Sequence, residues 1–188
     1  MESNRQKTLE SVLREEKLTL RKRAEIAINQ EVNLRDPDRI DIRGELVCGK
    51  NVVIDINVII EGRVELGDDV FVGANCILIN STIGSGSTIN PYSMVEDTII
   101  GKQSVIGPYG RVRPDSNIGD NVQVGNFVEI KNANIASGCR INHLAFVGDA
   151  VTGRLFSKSV ASRIPASRIS CGLAILLQTV CVVVSHYS

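Results

Sequence analysis

The chain has no tryptophan, and its 188 residues include only seven aromatics, three tyrosines and four phenylalanines. Large rings supply much of the buried area in an ordinary globular core, so any core here is built from smaller side chains. Charge of one sign is also missing. The 21 Lys and Arg balance 21 Asp and Glu, which removes the electrostatic case for nucleic acid or an anionic membrane as partner. The opening residues, MESNRQKTLESV, hold no apolar run and do not read as a secretory signal. The five cysteines, at 48, 76, 139, 171 and 181, contain no CxxC pair and no metal-ligand spacing. Without an export signal, free thiols in a reducing cytoplasm are expected.

What is present falls into three zones. Residues 1–33 are rich in Glu, Lys and Arg, with Leu9, Val12, Leu13, Leu20, Ile26 and Ile28 interspersed and no Pro or Gly. This predicts a solvated helix, and with the linker that follows it makes an arm over residues 1–42. From Arg43 to Val147 the chain repeats. Divided after each aliphatic, it reads RGELVC GKNVVI DINVII EGRVEL GDDVFV GANCIL INSTI GSGSTI NPYSMV EDTII GKQSVI GPYGRV RPDSNI GDNVQV GNFVEI KNANI ASGCRI NHLAFV. After Cys48 every block ends in Ile, Val or Leu. Two positions earlier stands a small or short β-branched residue, such as Val70, Cys76, Ser87, Thr98, Gly110, Ala133 or Ala145. The next block often opens on Gly or Asn, as at Gly67, Gly73, Gly101, Gly119 and Asn142, residues that tolerate a left-handed corner.

Hexads of this kind predict an all-β fold, a parallel β-helix with one short strand and one turn per block. Residues 43–150 should make about six triangular coils, each advancing ~4.8 Å. The aliphatics fill the interior, and Cys76 and Cys139 fall in small packing slots. The three five-residue blocks are seventh, tenth and sixteenth in the series, so all lie on one side of the triangle. After Ala150 the pattern stops. Residues 151–188 contain no acidic residue and no hexad, and the run from Cys171 to Val184 is too short for a usual membrane span. A buried cap and a truncated or frame-shifted, disordered end both stay open for this tail.

Chemistry must come from the outer face. His143 is the second residue of NHLAFV, and Asn126 is the second residue of GNFVEI one coil earlier, so the imidazole should point outward. Arg113 and Lys131 open their blocks one coil apart and should share a corner. A charge at a corner where Gly is frequent is not explained by stability alone. Two stacked cations beside an outward histidine suit an anionic substrate next to a general base. A three-histidine zinc site of the β-helical carbonic anhydrase type cannot be assembled from His143 and His186, so no metal is expected.

The segments LRDPDRIDIRGEL, IDINVIIEG, GPYGRVRP, VGNFVEIKNA and NHLAFVGDA lie within Leu34–Ala150. They resemble the bifunctional enzymes that make UDP-N-acetylglucosamine by joining a uridyltransferase domain to a glucosamine-1-phosphate acetyltransferase domain. The resemblance implies left-handed coiling, a cytoplasmic homotrimer with sites between adjacent prisms, glucosamine-1-phosphate as substrate and acetyl-CoA as acetyl donor. It also implies that Arg113 and Lys131 bind the sugar phosphate and that His143 is the base. Phe146 stands where the family has a substrate-touching tyrosine, and the next substrate contact, an asparagine, falls at Ser157 in a segment that no longer aligns. The later coils that carry the acetyl-CoA contacts, and the Gly-rich uridyltransferase domain, have no counterpart in these residues. The expected activity is therefore glucosamine-1-phosphate N-acetyl transfer, the alternative being an inactive trimerisation scaffold that lacks the acetyl-CoA half-site.

Overall fold

A computed structural model describes residues 10–16, 18–19 and 32–152. The remaining parts of the helix expected over residues 1–33, and the tail after 152, lie outside the described residues. Residues 10–16 and 18–19 are helical, and Val12, Leu13 and Leu18 are exposed as a solvated arm requires. The rest is a left-handed parallel β-helix.

Each hexad forms one short strand, and every strand pairs in parallel with its equivalents in the coils before and after. Side one stacks seven strands, among them Val53–Ile54, Phe71–Val72, Thr88–Ile89, Val105–Ile106, Gln123–Val124 and Arg140–Ile141. Sides two and three join in a twelve-stranded sheet because Glu129–Ile135 runs unbroken from one to the other. Phe146–Thr152 pairs along it through both halves. Alternation along each strand sends every second residue inward. Ile54, Ile60, Ile89, Ile106 and Ile130 are fully buried in the interior. Burial of such side chains contributes ~1.5–3 kcal/mol each, and one ladder repeated through every coil replaces the missing aromatic core.

The short blocks act as expected. On side two Ile60 pairs with Leu78, eighteen residues on; on side three Leu66 pairs with Ile83, seventeen on. The one-residue loss is therefore absorbed at the corner between these two sides.

The structure changes two readings. First, the ladder begins before residue 43. Asn33–Leu34 pairs with Val53–Ile54, and Asp41–Ile42 pairs with Ile59–Ile60. Val32, Ile40 and Ile42 are buried in the same core. The hexad pattern misses this coil because a 3₁₀ turn, Pro37–Arg39, interrupts it, with the Asp36 carboxylate accepting from the Asp38 N–H at 3.1 Å. Second, the glycines that open blocks, Gly107 excepted, are not the left-handed residues. Positive φ falls two positions later, at Asp69, Asn75, Gln103 and Asn121. Gly67 and Gly119 answer to close approach instead. A Cβ on Gly67 would lie 2.7 Å from the Ser85 nitrogen, and one on Gly119 would lie 2.5 Å from the Ser137 nitrogen. Gly119→Ala should therefore destabilise by about 1–3 kcal/mol through backbone displacement. Gly138→Ala, with open space at its Cβ but φ +77°, should cost about 1 kcal/mol from the left-handed backbone alone. Chemical denaturation of the two variants separates these costs.

From Asn51 onward three left-handed residues recur in each coil and stack into three columns, with Gly107 as one addition. Corner one carries Asn51, Asp69, Gly86, Gln103, Asn121 and Gly138; corner three carries Gly62, Asn80, Asp97, Asp115, Asn132 and Asp149. Corner two carries Asn57, Asn75, Tyr92, Tyr109, Phe127 and Leu144. Asn and Asp side chains link neighbouring coils, as between Asn57 and Asn75 at 3.0 Å and between Asn132 and Asp149 at 2.7 Å.

The small inward slots do more than save space. The Ser87 hydroxyl donates to the Gly101 carbonyl at 2.8 Å and accepts from the Ser104 N–H at 3.0 Å. Ser104 repeats this with Gly119 and Val122. Buried hydroxyls thereby satisfy backbone groups at corners where the strand ladder is interrupted. Cys76 and Cys139 are buried in equivalent slots. Burial pushes the Cys48 thiol up to about 12 and the Cys76 thiol up to about 11, so neither supplies a thiolate at neutral pH.

Candidate functional site

Side two positions three of the four residues singled out from the sequence. Its outward residues form two adjacent columns. In the first, Met94 pairs with Arg111, Arg111 with Glu129 and Glu129 with Phe146. In the second, Arg113 is followed one coil on by Lys131, and Lys131 pairs with Gly148. Residues two apart in a strand share a face, so Arg113, Lys131 and Phe146 lie together. The Phe146 ring lies across Gly148, where an added Cβ would meet Phe146 Cε1 at 2.7 Å. Glycine here is the seat of the ring.

His143 lies one corner away. It is exposed, and its backbone packs on Gly125, whose added Cβ would be 2.8 Å from the His143 nitrogen. The Leu144 N–H donates to the Asn126 carbonyl at 3.0 Å, which stacks this corner on the coil before it. Leu144 takes φ 57°, the chain turns, Ala145 points inward and Phe146 emerges on side two. Imidazole and cations therefore flank a single corner.

Sequence reasoning misses two features of this site. Glu129 pairs with Arg113, the guanidinium Nη1 donating to Oε1 at 3.0 Å. The two cations are thus accompanied by a carboxylate, and a third cation, Arg111, pairs with the same Glu129 in the adjoining column. The signal is present in the sequence, because Glu129 precedes Lys131 by two residues and must share its face. The column holding Arg113 and Lys131 is also not a glycine column. Its earlier members include Arg43 and Glu61, which form an ion pair at 2.6 Å. Charge at this position is ordinary in the fold, so what distinguishes Arg113 and Lys131 is that two cations follow each other. The second missed feature is a ring ladder on corner two: Tyr92 stacks on Tyr109 at 5.0 Å and 7°, and Tyr109 stacks on Phe127 at 4.9 Å and 13°.

Among the described residues no group of His, Cys, Asp and Glu is arranged to hold a metal ion, and no helix is long and apolar enough to cross a membrane.

A family model described as the GMPPB C-terminal domain matches residues 42–114. The bifunctional protein GlmU of Aromatoleum aromaticum is 52% identical over 139 residues, covering 74% of this chain and 30% of that protein. The bifunctional protein GlmU of Thiobacillus denitrificans is 57% identical over 123 residues, 65% of this chain and 27% of that protein. The chain thus spans about a third of the length of these curated relatives or less. Among solved structures, AntD, an N-acyltransferase from Bacillus cereus, superposes with a TM-score of 0.48 at 19% identity, covering 60% of this chain and 78% of that one. The chain is a homologue of the C-terminal region of bifunctional GlmU proteins, as its motifs implied.

Proposed function

We propose that this chain binds glucosamine-1-phosphate on side two and presents its amine to His143 for acetyl transfer from acetyl-CoA, a step in making UDP-N-acetylglucosamine in the cytoplasm. The observation that carries this reading is the placement of Arg113 and Lys131 on one outer face, one coil apart, with His143 across the adjoining corner. Two cations at that spacing can straddle one phosphate dianion. With Nη1 of Arg113 held by Glu129, the guanidinium keeps further N–H groups for the phosphate. In the reaction the imidazole takes a proton from the sugar ammonium or amine, and the amine nitrogen attacks the thioester carbonyl. The C–N bond forms, the C–S bond breaks, and coenzyme A leaves as its thiol with the proton. A homotrimer goes with this reading, since a thin prism buries its flat faces only against neighbours.

Arg113→Ala should weaken glucosamine-1-phosphate binding by about 1.5–3 kcal/mol, the worth of a hydrogen bond to a charged group. Calorimetry measures it. A second reading, a scaffold without turnover, is favoured by two sequence features: Phe146 in place of a tyrosine, and hexads that stop at Ala150. Absence of any sugar-phosphate binding by the wild-type chain would leave only that scaffold.

A further inference from the structure

Corner two departs from the rule that governs the other two. At corners one and three every left-handed residue of the column is Gly, Asn, Asp or Gln, the types that adopt this backbone with least strain. Corner two instead places Tyr92 at φ 62° and Tyr109 at φ 56°, with Asn75 before them and Phe127 after. A bulky residue in that region is an outlier that persists only where its surroundings hold it. Here the hold is a stack. The two phenol rings lie 5.0 Å apart and within 7° of parallel. Their backbones are locked one coil apart, the Tyr92 N–H donating to the Ala74 carbonyl at 3.0 Å and the Tyr109 N–H to the Pro91 carbonyl at 3.2 Å. Stacking does not require the hydroxyls, because Phe127 continues the ladder at 4.9 Å without one. Tyr92 and Tyr109 are 53% and 46% exposed, so two oxidisable phenols face each other at the surface.

We propose that Tyr92 and Tyr109 form a modification site, at which a one-electron oxidant of the haem-peroxidase class couples the two rings into a dityrosine bridging two coils. The stack supplies the orbital geometry. A phenoxyl radical carries its unpaired electron in p orbitals normal to the ring, so parallel faces aim the reactive ortho carbons at one another. Side chains this exposed move between rotamers in picoseconds to nanoseconds, which closes the remaining gap. Holding the partners together turns a bimolecular coupling into a unimolecular one. Each phenol gives one electron and one proton to the oxidant, and the two radicals join through an ortho C–C bond. The two ring hydrogens at that bond leave as protons while the phenol oxygens are reprotonated. One hydrogen peroxide is reduced to two waters. Competing sinks are few among the described residues. The chain has no tryptophan, and Cys76 and Cys139 are buried. Phe127 ends the oxidisable ladder, since a ring without a hydroxyl is far harder to oxidise. The third tyrosine, Tyr187, lies outside the described residues. The site stands apart from the sugar-phosphate reading and does not depend on it.

The experiment exposes an equal mixture of unlabelled and heavy-nitrogen-labelled full chain to a haem peroxidase with limiting hydrogen peroxide. Trypsin then cuts at Lys102, between the two tyrosines, and mass spectrometry weighs the peptides. The expected product joins the Tyr92 and Tyr109 peptides, is lighter than their sum by two hydrogens, and is wholly light or wholly heavy. Tyr109→Phe keeps a ring in the stack and should lower total dityrosine fluorescence at least ~10-fold, because the oriented pair is lost. Tyr187→Phe should leave it unchanged. Phe127→Tyr extends the ladder by one phenol and should add a product joining Tyr109 to position 127. Coupling ties residues seventeen apart, and by the chain-entropy argument for disulfides should favour the folded chain by about 100-fold in urea denaturation. Absence of the Tyr92–Tyr109 product, mixed light and heavy product in its place, or fluorescence undiminished in Tyr109→Phe or lost in Tyr187→Phe overturns the site. A Phe127→Tyr chain with no added product overturns the stack as its cause. A coupled chain no more stable than the untreated one overturns the bridge between intact coils.

Discussion

His143→Ala should leave glucosamine-1-phosphate binding nearly intact while lowering acetyl transfer by about 10²–10⁴-fold, the usual contribution of a positioned general base. The separation follows from the geometry. Arg113 and Lys131, the proposed phosphate ligands, sit on side two, and the imidazole sits before Leu144 on the other side of the corner. Truncating it removes neither cation and exposes no core. Among the described residues the backbone around His143 is held by coil stacking, through Gly125 and the Leu144-to-Asn126 hydrogen bond, so a small side chain is accommodated. The measurement is thiol release from acetyl-CoA beside calorimetry with the sugar phosphate. A His143→Ala chain whose turnover matches wild type would refute the base assignment. Loss of binding equal to the loss of turnover would instead make His143 a ground-state contact.

Ile100→Ala should destabilise the fold by about 2–5 kcal/mol, whereas Ile99→Ala should change stability by less than about 0.5 kcal/mol. The two isoleucines are neighbours in the strand Thr98–Ile100, and their composition and propensity are identical. Ile100 is 1% exposed between Ile83 and Ile118 of the adjoining coils; Ile99 is 58% exposed beside Thr82 and Asn117. Truncating Ile100 leaves a void that the coils above and below cannot close, because their hydrogen-bonded spacing is fixed. Solenoid stability is a sum of coil and neighbour terms, so a gap at one rung weakens two interfaces. Equal effects at the two sites, read by urea denaturation, would mean that the inward register is wrong.

The inward register is legible in the sequence by itself. The aliphatic at each block end, the small residue two places before it and the three short blocks fix which side chains face the core, because a strand alternates with a period of two and each coil repeats the pattern. The same periodicity places Cys76 and Cys139 inside and His143 outside. Resemblance in five segments identifies the relatives. Tertiary structure decides the rest, since it depends on what one coil does to the next. The first coil hides from the pattern because Pro37–Arg39 replaces a hexad corner. Gly67, Gly101 and Gly119 at block openings answer to the approach of the next coil's backbone, and the positive φ lies two residues on. The partner of Arg113 is sixteen residues away in sequence, across a strand pair. The aromatic ridge exists only because residues seventeen and eighteen apart come within 5 Å once the coils stack. A periodic sequence determines which way each side chain points; only the stacked coils determine which charges meet and which corners carry strain.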